Sequence, residues 1–219
     1  RWRKIPRPHL SGWQIERLVD RLNALDVDAV VVAGDWTYEP PRDLHVLLAP
    51  FARLRHPVWG VLGNHDTGAP GPPLAAALRQ ALQGHGVQLL EGQRLLFRGW
   101  EVLGLGDLWG GDPRGDVARL LPPGTPTVPR LVLAHQPDTA ALLPAGSARL
   151  VLSGHTHGGQ IMLPWITRHW VLPGMSAQGW FEGLNTTPAG PLFVTAGVGT
   201  IGLPARLAVV PRIDVLRIE

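Results

Sequence analysis

The chain has 219 residues, of which 45% are hydrophobic and 17% charged, a balance that is typical of a folded globular protein and excludes a disordered chain. It contains no cysteine, so any metal ion must be bound by His, Asp, Asn or Glu rather than by thiolates. The net charge is only +3 and the arginines are scattered, which argues against nucleic-acid binding. No apolar run reaches about 18 residues, so no membrane span is predicted. We expect a single domain over residues 1–219.

The first half of the chain alternates predicted helices with buried strands. A helix begins after Ser11, a typical N-cap residue, and Ile15 and Val19 lie on its apolar face. The mostly apolar run 28–33 predicts a fully buried strand, as in a parallel sheet flanked by helices. The other elements expected in this half are a helix over 43–54, a strand over 57–62, a helix over 73–83 and two or three short strands within 87–106.

The second half repeats the order of strand, polar residue and helix. Pro137 is placed to open a helix directly after one of the strands, because proline is favoured in the first helical turn. The alternation of apolar strands with helices predicts an α/β fold. The elements expected here are a short helix near Val117, a strand over 130–134, a helix from Pro137 to about Leu143, a strand over 150–152, and strands over 192–195 and 213–218.

Four of the predicted strands end in polar side chains that can bind metal ions or transfer protons. Ligand sites of α/β sheets gather outside the carboxyl ends of the strands, so we expect these strand ends to meet in one crevice. The clearest of them is the sequence LVLSGHTHGGQ at 150–160, in which glycines leave the backbone free to aim two histidines at different points. The four ends carry Asp35, Asn64-His65-Asp66, His135, and His155 with His157.

These side chains suggest a pair of divalent cations. A carboxylate, an amide oxygen and several imidazoles suit Mn²⁺, Fe or Zn²⁺ better than Ca²⁺ or Mg²⁺ alone. Two ions about 3.5 to 4 Å apart could hold a phosphate and lower the pKa of a bridging water, so that a metal-bridging hydroxide attacks the phosphorus in line. His65 is the candidate for protonating the leaving oxygen, with Asp66 orienting its ring.

The motifs in this order resemble the signature of the calcineurin-like metallophosphoesterases. The resemblance rests on Gly-Asp at 34–35, Gly-Asn-His-Asp at 63–66, His135 after a strand, and Gly-His-Thr-His at 154–157. The continuation GHTHGGQI and the ending VGTIGLPARLAVVPRIDVLRIE are similar to the bacterial branch of membrane-associated phosphodiesterases, some of which are UDP-2,3-diacylglucosamine hydrolases. The similarity runs from about Ser11 to Glu219.

The resemblance implies a four-layer αββα sandwich of two mixed β-sheets flanked by helices. It also implies ligand roles for two metal ions. Asp35 would bridge the ions and His157 would bind the second, while His65 would act as the acid of the transition state. The ligands implied for the first ion are Asn64, His135 and His155.

One motif departs from the family pattern. Members begin with a strand that ends in Asp-x-His and supplies two ligands of the second ion, whereas the only candidate here is Arg7-Pro8-His9. His9 lies only two residues before the N-cap Ser11, so we expect the first strand and its Asp-x-His to lie upstream of Arg1. The alternative is a natural loss of the motif. In either case this chain is expected to hold the first ion better than the second.

The predicted function is metal-dependent hydrolysis of phosphodiesters or of a pyrophosphate-linked lipid precursor, in the bacterial cytoplasm or at a membrane. The alternative is a catalytically silent scaffold that binds a phosphate ligand or a partner. A nuclease is a weaker third possibility, because basic and aromatic residues are not clustered.

The irregular segment 161–184 leaves two interpretations open for Trp165, Trp170 and Trp180. They pack in an ordinary core, or they form an apolar lip that touches a lipid-like substrate or a bilayer. Burial of all three would exclude the lip. Asp107 and Asp112 are interpreted as turn residues of a Gly-rich loop, with a role in shaping the crevice as the less favoured alternative. The histidines outside the motifs are interpreted as solvated or packed: His45, His56, His85 and His169.

Overall fold

A computed structural model of the chain describes residues 11–38, 40, 43–121, 127–163 and 165–219. The Arg7-Pro8-His9 candidate lies outside these residues. The helices are α1 (Gly12–Asn23), α2 (Leu44–Leu48), α3 (Asn64–Thr67), α4 (Ala75–Gly84) and α5 (Pro113–Leu120), with short 3₁₀ helices at Ala49–Arg53, Pro137–Leu142, His157–Gly159 and Leu172–Gly174 and a π-helical turn at Thr167–Val171. The strands are β1 (Val30–Val32), β2 (Val58–Gly60), β3 (Val87–Leu89), β4 (Gln93–Phe97), β5 (Trp100–Gly104), β6 (Arg130–Leu133), β7 (Leu150–Ser153), β8 (Gly183–Thr187) and β9 (Gly190–Val194).

The first helix begins as its sequence predicts. The Ser11 side chain accepts a hydrogen bond from the Gln14 backbone N–H, and the Gln14 side chain accepts from the Ser11 backbone N–H, so two otherwise unpaired donors are satisfied. The residues that α1 buries are Ile15, Val19 and Leu22, which recur at helical spacing.

The strands form two sheets, as expected. The smaller sheet has the order β1-β2-β3 and the larger has the order β4-β5-β6-β7-β9-β8. The larger sheet is mixed, because β4 and β8 run antiparallel to their neighbours. The described strands of the smaller sheet are all parallel, contrary to the expectation of two mixed sheets. Helical crossovers connect these strands, and such connections produce parallel pairing.

Three apolar clusters separate four layers. Leu48, Leu78 and their neighbours lie between the smaller sheet and its helices, and Leu103 and Leu192 lie in the cluster outside the larger sheet. A third cluster fills the space between the two sheets and includes Leu133 and Leu152. Because successive strand residues face opposite sides, β6 sends Leu133 inward and Val132 outward. The expected αββα sandwich is therefore confirmed.

Three elements differ from the predictions. The helix opened by Pro137 is a 3₁₀ helix, and β8, which was not predicted, pairs antiparallel with β9. The strand predicted over 213–218 is wrong, because these residues are not in a strand in the described structure. Their apolar sequence suits a strand, but in the described structure they pair with no neighbouring strand, and a strand requires hydrogen bonds to a partner edge.

A cavity of about 940 Å³ opens between the sheets beside β1 and extends to the crevice at the carboxyl ends of the strands. Its apolar wall includes Leu22 of α1, Val31 of β1, Leu152 of β7 and Ile213 of the C-terminal segment. In the described part of the chain β1 pairs only with β2, so the edge of β1 on this side has no neighbouring strand.

Candidate metal centre

The turn after β1 brings Asp35 into the crevice. Gly34 has φ +90, and a Cβ there would lie 2.6 Å from His135 Nδ1 and 2.8 Å from the Gly63 nitrogen, so only glycine fits. Asp35 itself has φ 54, a conformation that is unfavourable for a residue with a side chain. Its Oδ1 accepts a hydrogen bond from the His65 backbone N–H at 3.1 Å. The turn after β1 and the loop after β2 are therefore connected directly.

The loop after β2 supplies Asn64, which is almost fully buried. Its Nδ2 donates to the Ala69 carbonyl at 3.1 Å, and this bond turns Oδ1 toward two histidines. Asn64 Oδ1 lies 3.0 Å from His135 Nε2 and 3.0 Å from His155 Nδ1. The amide oxygen therefore faces ring nitrogens that come from two strands of the other sheet.

His135 follows β6 and is oriented by the backbone of β1. Its Nδ1 donates to the Ala33 carbonyl at 2.6 Å, so Nε2 faces the crevice, 3.3 Å from Asp35 Oδ2. Burial by itself lowers the pKa of His135, but the charge of Asp35 and the hydrogen bonds to Asp35 and Ala33 raise it to about 9. Burial opposes ionisation of Asp35, yet the charge and hydrogen bond of His135 lower its pKa.

The loop after β7 carries His155 and His157 in left-handed backbone conformations, with φ 68 and φ 51. Thr156 between them donates from its hydroxyl to the Phe181 carbonyl at 2.6 Å and fixes the turn. Burial, followed by the charge of His135, lowers the pKa of His155 to about 3. Burial is also the largest cause that lowers the pKa of His157 to about 4. Both rings are therefore neutral near pH 7, the form in which imidazole binds metal ions.

Four donor atoms from both sheets converge at one point. Asp35, His135 and His155 each offer an atom within 4.8 Å of the others, and Asn64 Oδ1 lies between the two rings. The facing nitrogens of His135 and His155 are 3.2 Å apart. Ligands about 2.1 Å from a tetrahedral ion are about 3.4 Å apart, so these spacings and donor types fit one divalent cation. His157 lies outside this group, although the charge of Asp35 influences its pKa.

His65 and Asp66 do not interact in the way that the sequence suggested. His65 Nδ1 lies 3.0 Å from the Pro70 carbonyl, and the ring packs edge-on against Tyr38 at 4.7 Å. Asp66, expected to orient this ring, instead accepts hydrogen bonds from the backbone N–H groups of Trp36, Thr37 and Gly63. Asp66 lies in the short helix α3, and its carboxylate points back to the turn after β1 rather than outward to His65.

One aromatic residue of the crevice was missed by the sequence reasoning. The Trp109 ring lies 4.9 Å from the His155 ring at 87°, and the side chain is 52% exposed. Asp107 holds this loop by accepting hydrogen bonds from the Trp109 and Gly110 backbone N–H groups, which agrees with its interpretation as a turn residue. The sequence carries no direct signal for this residue, because the parallel pairing of β5 with β6, which opens the loop after β5 at the same edge of the sheet, is a tertiary relation.

The three tryptophans of the 161–184 segment have different environments. Trp165 is 68% exposed and Trp170 is 75% exposed, with Ile166 and Val171 exposed beside them. Trp180 is only partly exposed and packs against the outer cluster of the larger sheet. Trp165 and Trp170 therefore remain candidates for an apolar lip. Trp180 instead packs in the core, as the alternative interpretation of this segment expected.

The sequence model of the family described as calcineurin-like phosphoesterase matches residues 9–159, more than half of the chain. The fold and the buried site define an α/β sandwich with a possible metal-binding group at its strand ends. The chain belongs to the calcineurin-like phosphoesterase family, whose members normally bind divalent metal ions, and this supports a phosphoesterase function in general terms.

Similar proteins include phosphodiesterase YaeI of Escherichia coli K12, which is 30% identical over 71% of this chain and 56% of that protein. The uncharacterized metallophosphoesterase YkuE of Bacillus subtilis 168 is 28% identical over 96% of this chain and 76% of that protein. The crystal structure of the protein TT1561 of Thermus thermophilus has a TM-score of 0.51 at 13% identity and 84% coverage of each chain, which supports the fold alone.

The chain is shorter than several relatives. It spans 56% of the Escherichia coli protein and 48% of a protein of Danio rerio that is named transmembrane protein with metallophosphoesterase domain. Among the residues that the structure describes, no helix combines the length and apolarity required to cross a bilayer.

The histidine cluster predicts that divalent cations stabilise the protein. Mn²⁺ or Zn²⁺ at about a hundred times its dissociation constant should raise the melting temperature by about 5 to 10 °C, because the ion binds only the folded chain. The measurement is a thermal melt after chelation, with and without the ion. His135→Ala should abolish the rise, while His45→Ala, at an exposed histidine, should retain it. A rise that survives in His135→Ala would place cation binding elsewhere.

Because Asp66 binds three backbone N–H groups, replacing it should destabilise the protein even in the absence of metal. Asp66→Asn places an amide against three backbone N–H donors, so the free energy of unfolding should fall by about 2 to 3 kcal/mol. Urea denaturation of the chelated protein measures this. Asp43→Asn is the matched control, because Asp43 caps α2 and asparagine caps equally well. Equal stability of the two variants would contradict this role.

Proposed function

We propose that the chain is a metal-dependent phosphoesterase that hydrolyses phosphodiester or pyrophosphate-linked substrates. The observation that supports this proposal is the convergence of Asp35 Oδ2, Asn64 Oδ1, His135 Nε2 and His155 Nδ1 from both sheets. In this proposal these residues hold the first ion, and Asp35 with His157 contributes to the second. When bound, the ions supply positive charge to the phosphoryl oxygens and lower the pKa of water.

His65 is proposed as the acid for the leaving oxygen. The Pro70 carbonyl can only accept, so His65 Nδ1 carries a proton and Nε2 is left for the second one. In the imidazolium form Nε2 would give its proton to the leaving alkoxide, and the ring would become neutral. The carboxylate of Asp35 lies beside His65, because its Oδ1 accepts a hydrogen bond from the His65 backbone N–H at 3.1 Å.

We propose that the second ion needs a further strand encoded upstream of Arg1. Three features support this proposal: the unpaired edge of β1 in the described structure, the cavity beside it, and the apolar segment 213–218 on the far side of that cavity. A strand inserted there would pair with β1 and end beside Asp35 and His157. The manganese preference and the dinuclear site are parts of the same proposal.

The substrate is proposed to be presented at a membrane surface. Trp165 and Trp170 are exposed in the segment that follows the His155 loop, and tryptophan side chains are well suited to the bilayer interface. Pyrophosphate-linked lipids are the corresponding substrate class. The bacterial cytoplasm or the inner face of its membrane is the proposed location.

A catalytically silent scaffold is the second candidate function. It is favoured by one observation: within the described residues, the group that could hold a metal ion consists of Asp35, His135 and His155, and His157 lies outside it. A chain with a single ion could bind a phosphate ligand or a partner without hydrolysing it.

An assay with bis(p-nitrophenyl) phosphate and added Mn²⁺ separates the two candidates. The enzyme proposal expects turnover that falls at least about 100-fold in Asn64→Ala and His65→Asn, whereas His45→Ala retains it. A chain with its natural upstream residues should be more active and should bind a second Mn²⁺. Absence of turnover from both chains, with Mn²⁺ bound, would favour the scaffold.

Vesicle sedimentation tests the membrane proposal. Replacing Trp165 and Trp170 together by serine should weaken binding to phosphatidylglycerol vesicles by about tenfold or more, because their apolar surface no longer enters the interface. Trp13→Ser is the matched control, since Trp13 is 61% exposed on α1. Equal binding by both variants would contradict the proposed membrane surface.

A further inference from the structure

Arg206 binds three backbone carbonyl groups with a single guanidinium. Its Nη2 donates to Ala196 at 2.7 Å and to Gly199 at 2.6 Å, and its Nε also donates to Gly199 at 3.0 Å. Its Nη1 donates to the carbonyl of His157 at 3.2 Å. All these acceptors are main-chain oxygens near the metal centre, so the side chain cross-links two loops instead of forming a surface ion pair.

Two of the three carbonyl groups lie at or next to His157. One belongs to the His157 peptide, and the other belongs to Gly199, whose backbone lies close enough to the His157 ring to raise its pKa against the larger, opposite effect of burial. A histidine that binds a metal ion is usually oriented by a hydrogen bond from its second ring nitrogen to a carbonyl or carboxylate. Gly199 is placed to provide that bond, and Arg206 holds Gly199 in place.

The backbone around His157 needs this support. His157 has φ 51 and Gln160 has φ 51, and both are non-glycine residues in the left-handed region. Gln160 adds a parallel cross-link, because its side chain donates to the Ile201 and Leu203 carbonyls and accepts from the Ile201 N–H. Arg206 is the part of this cross-linked region that contacts His157 itself.

The charge of Arg206 makes a purely electrostatic role unfavourable for cation binding. A guanidinium beside the crevice repels a divalent cation, and burial together with this charge disfavours a charged His157 ring. The three carbonyl contacts therefore give a geometric reason for an arginine at this position. Lysine would keep the positive charge but lose the planar fork that binds several acceptors at once.

We propose that Arg206 is a positioning residue for His157: it fixes the His157 peptide and the Gly199 carbonyl so that the ring has one tautomer and one orientation. The inference rests on the proposed function only in treating His157 as a ligand of the second ion.

The test uses histidine-labelled protein without metal, and it measures the ring ¹⁵N and ¹³C signals by NMR. The His157 signals are assigned by their loss in His157→Ala. In the unchanged protein they should report one tautomer. In Arg206→Gln and in Arg206→Lys they should shift or broaden, while the His135 signals remain in place and show that the fold is intact. Arg119→Gln, which removes a guanidinium bound to the Gly92 carbonyl and to Asp116 but to none of the crevice residues, should change neither set.

Two results would overturn the inference. His157 signals that are unchanged in Arg206→Gln would show that the arginine does not position the ring. Signals restored in Arg206→Lys would assign the effect to charge instead of geometry. Mn²⁺ titration by electron paramagnetic resonance provides a second readout: Arg206→Gln should weaken the second ion at least tenfold in the upstream-extended chain and the first ion less than twofold. If the unchanged protein shows no phosphoesterase activity, the proposed function fails, but the metal-free NMR result still decides whether Arg206 positions His157.

Discussion

The close approach of four polar atoms between two sheets is the feature on which the rest of the structure depends. The facing nitrogens of His135 and His155 are 3.2 Å apart, with the Asn64 oxygen 3.0 Å from each. Such a group is costly to bury unless the lone pairs share a proton or a cation. The separation is set by the apolar cluster between the sheets, because β2 delivers Asn64 from one sheet while β6 and β7 deliver the histidines from the other. The packing of the two sheets against each other therefore also determines the geometry of the site.

The loops that carry these atoms are held by side-chain contacts to backbone groups. Asp66 accepts hydrogen bonds from three backbone N–H groups, two in the turn after β1 and one in the loop after β2. Arg206 donates hydrogen bonds to three backbone carbonyls around the His157 loop. Asp35, His155 and His157 all have positive φ, so each of these side chains is attached to a backbone that would relax without external bonds. The geometry of the candidate metal centre thus depends on Asp66 and Arg206, which lie outside the group of donor atoms.

The centre is asymmetric. Asn64 and His135 are almost fully buried, whereas Asp35, His155 and His157 are partly exposed and line the cavity beside β1. The Trp109 ring, which is 52% exposed, adds an apolar surface beside the His155 ring.

The sequence by itself determined the local elements and the chemistry. Ser11 begins the first helix, apolar runs form the buried strands, and the residues after those strands contain the donors that meet in the crevice. Only the tertiary structure decided which atoms meet and what holds them, because these relations join residues far apart in the chain. Asp66 was assigned to its neighbour His65, yet its partners Trp36 and Thr37 lie about 30 residues earlier. Likewise 213–218 has the composition of a strand, but a strand also requires that the fold bring a partner edge alongside it, and composition does not reveal that.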